Sequence, residues 1–128
     1  MAMTLHAALD SRLSRDGFNL SDRIGDVAKD FAARGFSLPS GPLYGKIDDL
    51  CSLRMEQVAE MAISVYQECR ATGTNEAELK ADLVDYLNSR LNSIMLTALG
   101  SYNRPTNQAA QASLESAMRQ LIAKAERY

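Results

Sequence analysis

Tryptophan is absent from this 128-residue chain, and aromatic residues make up only 6% of it. A core without large rings must be built from Leu, Ile, Val, Met and Ala, a composition that suits helices better than sheets. A sugar-binding platform of stacked aromatics is equally short of material. Histidine occurs once, as His6, and cysteine twice, as Cys51 and Cys69. One imidazole and two distant thiols offer no zinc-ligand spacing, and no Glu-x-x-His pair of the di-metal bundles is present. A Ser-His-Asp or Cys-His arrangement would have to be assembled around His6, near the start of a short N-terminal helix. The two cysteines fall eighteen residues apart in one predicted helix. They share a face but lie about 27 Å apart along its axis, too far to be bridged within the chain. Free thiols of a reducing compartment are the expectation. No apolar run reaches transmembrane length and no signal peptide is evident, so the expected setting is cytoplasmic, away from membranes.

No strong charge of either sign is present. Sixteen acids against fourteen Lys and Arg leave a net charge of −2. Nucleic-acid-binding domains are usually basic. The first 35 residues carry five acids and five bases, which argues against reading the first two helices, joined by "RDGFN", as a helix-turn-helix. Residues 101–128 hold four bases against two acids, a local excess of +2. Arg119, Lys124 and Arg127 are therefore the nucleic-acid candidates, although they form no tight stripe and suit a solvated face better.

What is present is clear helical punctuation in a chain long enough for a single domain, 1–128, burying roughly two-thirds of its unfolded surface. No period-two stretch argues a strand. Thr4 suits the cap of a first helix over about 5–15. Ser21 suits the cap of a second over about 22–34, ended by Gly35 in a left-handed C-cap. The stretch "FSLPSGPLYG", residues 36–45, holds two prolines and two glycines and predicts irregular chain. A long helix follows over about 46–71, closed by Gly73. Asn75 with Glu78 opens a fourth over about 76–99, and Pro105 or Thr106 a fifth to about 126. The expected fold is all-α: a bundle of three long antiparallel helices with a short N-terminal pair filling the fourth place.

Three motifs bear on function. "SGPLYGKID", from Ser40 to Asp48, resembles a phosphate-binding loop, but its first gap is one residue short. Ile47 stands where a hydroxyl should hold magnesium, Pro42 removes an N–H, and a helix rather than a strand precedes it. A joint between helices is the better reading. Second, Arg54 and Arg90 fall inside the apolar arcs of the third and fourth helices, about one turn apart if those helices are antiparallel. Two guanidiniums there need partners: acids such as Asp10, Asp26 or Asp30, another protein closing the seam, or a bound anion. Third, Leu43, Tyr44, Leu96, Leu99 and Tyr102 offer apolar surface near one end of the bundle. Either loop 36–45 covers Leu96 and Leu99, or these residues meet a partner. With Leu53 and Ile63, they are apolar positions beyond one face per helix.

The function expected by elimination is a non-enzymatic protein–protein interaction module: a small adaptor, inhibitor, immunity or antitoxin-like factor, with a second copy of itself as one possible partner. It needs no cofactor and no metal. The competing readings are a nucleic-acid-associated regulator, and an anion binder or enzyme using Arg54 and Arg90.

Overall fold

The computed structural model describes residues 5–35, 41–72 and 75–128. Five α-helices account for most of them: α1 Leu5–Arg15, α2 Leu20–Ala33, α3 Gly41–Arg70, α4 Glu76–Leu99 and α5 Gln108–Glu126. A 3-10 turn, Ser101–Asn103, joins α4 to α5. The all-α bundle expected from periodicity is what forms, and α1 and α4 have the bounds that the sequence suggests.

The other boundaries differ, each for a local reason. The side chain of Asn19, not Ser21, caps α2 by accepting the Asp22 N–H at 3.1 Å. An Asn on extended backbone directly before the first helical residue, Leu20, outcompetes a Ser already inside the helix. Asn107 caps α5 by accepting the Ala110 N–H at 3.1 Å, so Pro105 and Thr106 stay outside. The largest difference is α3, which begins at Gly41, five residues before the expected start. Pro42 lies in its first turn, where its missing N–H costs nothing, and Leu43 continues the buried stripe of Ile47 and Cys51 one turn back. Burial of that leucine outweighs the two glycines. Asn75 caps α4 as read, accepting the Ala77 and Glu78 N–H groups. Gly35 adopts φ +86° after α2, as the C-cap reading requires. Thr4, Phe36, Leu38 and Gly73 lie outside the described residues.

The longest seam is between α3 and α4. Their apolar arcs meet through side chains such as Val58, Ala62, Leu83, Leu87 and Leu91, all almost completely buried. α1 packs on both helices, α2 on α3, and α5 on both α3 and α4. Arg54 and Arg90, which meet α1 and its end, lie at one edge of the two arcs. Ser52 and Glu56 lie at the other edge of α3, facing Ala117 and Leu121 of α5 across a shallow groove. α1 and α5 thus flank the α3–α4 pair from opposite sides. The Lys80 ammonium donates to the backbone oxygens of Glu126 and Tyr128, fixing the end of α5 beside the start of α4. α5 is therefore antiparallel to α4 and parallel to α3, so α3 and α5 begin at the same end. Of the described helices, none is long and apolar enough to cross a membrane.

Candidate functional site

Both core-arc arginines are paired with carboxylates. Arg54 is buried, 9% exposed. Its Nη1 donates to Asp16 Oδ2 at 2.9 Å and to Gln57 Oε1 at 3.4 Å, and its guanidinium lies 4.3 Å from the Phe18 ring centroid. Burial raises the Asp16 pKa, but the Phe18 N–H and Arg54 outweigh it and hold the carboxyl below its usual range. Asp16 was not among the acids the sequence offered for this role, because it follows α1 rather than sitting on a helix face. Arg90 pairs with Asp10, one of the acids expected, at 2.5 Å. That bond sets its pKa above the usual range. Arg90 is exposed, so its position in the arc is a rim position and not a core one. The two arginines share no partner: one serves the end of α1, the other its middle. Both meet the structural need for which the sequence offered acids, and neither guanidinium is left uncompensated.

The polar centre that sequence reading missed is Arg104. Its side chain is only 4% exposed. Nη1 and Nη2 fork onto Asp48 Oδ1 and Oδ2 at 2.6 and 2.8 Å, and Nη1 also reaches the Ala98 carbonyl at 3.4 Å. The Tyr44 ring lies 5.0 Å from the guanidinium. Bonding to Asp48 holds the Arg104 pKa above its usual range. The late helix start of the sequence reading kept Tyr44 and Asp48 from being placed one turn apart on α3. The spacing Tyr44–Asp48 was the available signal. Beneath the fork, burial and the nearby Asp48 charge push the Cys51 thiol up to about 11, against a smaller opposite pull from Arg104.

This fork anchors one end of the bundle. A cleft of about 530 Å³ opens there between the first two turns of α3 and the segment leading into α5, lined among others by Tyr44, Asp48, Arg104 and Asn107. Residues 41–48 of the joint "SGPLYGKID" therefore contribute the first turns of α3 and one wall of this cleft. The Tyr44 hydroxyl donates to the Tyr102 carbonyl at 3.2 Å. Tyr102 itself has φ 52° and ψ 43°, a left-handed conformation unusual for a residue with a bulky side chain. That side chain projects outward, 44% exposed.

The five expected partner-contact residues separate. Leu43 is fully buried in α3 and belongs to the core, a correction to its reading as surface. Leu99 is half-buried against the core, and Tyr44 is half-buried and committed to Tyr102. Leu96, 56% exposed, and Tyr102 face outward. Leu53 is also exposed, but it lies opposite the α3–α4 seam on α3, as Leu96 does on α4, so the two point to opposite flanks. Ile63 is buried.

The basic residues of α5 stay apart. Arg119 pairs with Glu115 along its own helix at 3.6 Å, Lys124 borders the α3–α5 groove, and Arg127 is the exposed C-cap. His6 sits edge-on to the Tyr86 ring at 5.2 Å, with Nε2 3.6 Å from Asp85. Cys51 and Cys69 are free. Among the described residues, no group of three or more His, Cys, Asp and Glu is placed to hold a metal ion. Compared with protein-family models, with curated proteins and with solved structures, the chain matches none.

Proposed function

We propose that this chain is a protein-binding module, acting as a stoichiometric regulator or inhibitor without catalysis, and that its partner docks on the end where α3 begins and α4 hands over to α5. The observation that carries this is Tyr102. A left-handed tyrosine costs about 1–2 kcal/mol in backbone energy. Its surroundings hold it there: Tyr44 grips its carbonyl, the Arg104 N–H donates to the Ser101 carbonyl at 3.1 Å, and the Arg104–Asp48 fork locks the base of the turn. The result is a braced loop presenting an aromatic side chain, at the end of the helix that carries exposed Leu96 and close in sequence to Arg104 of the polar cleft. Aromatic anchors with few rotatable bonds are enriched where proteins bind proteins. The pairing of Arg54 and Arg90 with acids favours this reading over an anion site at those arginines.

The test is a photo-crosslinking amino acid placed at position 102 of the full chain, and separately at the exposed Gln67 on the far part of α3, in cells of origin. A discrete adduct from position 102 alone, surviving nuclease, is expected. An adduct of two 14.0 kDa chains identifies a second copy as the partner. In parallel, Tyr102→Gly is expected to preserve or raise thermal stability, because glycine tolerates the left-handed backbone, while abolishing the adduct formed from a crosslinker at Leu96. Equal labelling from positions 102 and 67, or loss of the adduct with nuclease, overturns the reading.

A further inference from the structure

We infer that α1 is a strap whose closure on the α3–α4 seam depends on ionic strength. At 11 residues it is short for a helix that stands alone in water. Its fully buried anchors are Leu5 and Leu9, with Ala8 and Leu13 packed partly against the core. Its polar ties, with ion pairs prominent among them, run its whole length. His6 faces Asp85 at 3.6 Å and Asp10 faces Arg90 at 2.5 Å, both on α4. Arg12 faces Glu68 at 3.3 Å, and Asp16, just past the helix, faces Arg54 at 2.9 Å, both on α3. Asp10, Arg12 and Asp16 alternate in sign and each is met by the opposite sign, while His6 adds a contact to Asp85. A slip of α1 by one turn would bring Asp10 toward Asp85, like against like, so these pairs also select its register.

The contrast with α5 is informative. α5 is held through Leu114, Ile122 and Ala125 and by the Lys80 ammonium on the backbone oxygens of Glu126 and Tyr128, and among the described residues no ion pair between side chains joins it to α3 or α4. α1 has a joint of its own as well. Gly17, at φ +67° with open space around it, separates α1 from α2, and α2 keeps Ile24, Ala28 and Phe31 buried. α1 can therefore leave while α2 remains. What it uncovers is Tyr86, 2% exposed under α1, whose hydroxyl donates to Asp10 at 3.4 Å and whose ring touches His6. Three of the four pairs are largely solvent-exposed and fall within the reach of salt screening; only Arg54 is shielded. Exposure of the Tyr86 seam thus becomes conditional on ionic strength, while the α3–α4–α5 body does not.

Hydrogen exchange by mass spectrometry on the full chain, at about 0.05 M and about 1 M NaCl, tests this, since the screening length falls severalfold between them. Amides of α1 are expected to exchange at least about threefold faster in high salt, with α2 to α5 unchanged. At low salt, Asp10→Arg and Arg90→Asp should each speed α1 exchange, and the two together should restore the wild-type rate. The inference is overturned if α1 exchange ignores salt, if α1 changes in step with α4, or if the charge swap fails to restore it. Should either single variant unfold outright, the wild-type salt series and the swap still decide.

Discussion

Arg104 and Asp48 are 56 residues apart and no motif links them, yet together they hold the end of the bundle. The guanidinium has left water almost completely, and its compensation is the fork itself together with the Ala98 carbonyl. Removing one partner of such a pair strands the other. Arg104→Ala is expected to cost about 3 kcal/mol in chemical denaturation. Changing both residues to leucine should cost clearly less, because no charge is left unpaired. Equal losses in the single and the double variant would mean that packing, not charge, is what Arg104 supplies. Arg54 and Arg90 show why the wheel was only half informative. It identified the angular position of each arginine, but whether that position is core or rim depends on how closely α1 approaches, which angle does not encode.

At the scale of the element, helix ends were where local signals competed. Asn75 is legible because Glu78 completes a capping-box pattern that the neighbouring Thr74 lacks. Ser21 and Thr106 are good caps by type, but Asn19 and Asn107 hold those places because the capping side chain must sit where the backbone is still extended, at φ −117° and −132° here. Asn75→Ala and Asn107→Ala should each lower stability by about 1 kcal/mol. Ser21→Ala and Thr106→Ala should change it by less than about 0.5 kcal/mol, which thermal unfolding would resolve. The early start of α3 is the more instructive miss. Two glycines and a proline in "GPLYG" speak locally for a turn. The chain becomes helical because Leu43 and Tyr44 then meet the core and the Arg104 site, a gain that only neighbours from α4 and α5 can provide.

For the molecule as a whole, stability resides in the α3–α4 seam, and the exposed leucines stand apart from it. Leu87→Ala should cost about 2–5 kcal/mol, the usual loss for a leucine in a closed core. Leu53→Gln should be nearly neutral, within about 0.5 kcal/mol. Denaturant midpoints of the two variants compare them directly; a large loss at Leu53 would show that its flank of α3 is covered in solution. With Leu53 and Leu96 on opposite flanks, the apolar surplus seen in sequence does not add up to one patch. Leu96 is the one whose helix, α4, leads into the turn carrying Tyr102.

The sequence by itself determined the helical class, the number of helices, two helix spans to the residue and most of the core, because these follow from 3.6-residue periodicity and from side chains acting within one turn. It also required partners for two arginines, with acids among the candidates. Only the tertiary structure decided which acids these are, that Asp48 and Arg104 form a fork, that Tyr102 is held left-handed, and that α1 is tied down by alternating charges. Each of those joins residues 38 or more positions apart, or depends on a contact that does. Pairings at that distance are selected by packing three helices at once, which no window along one chain contains.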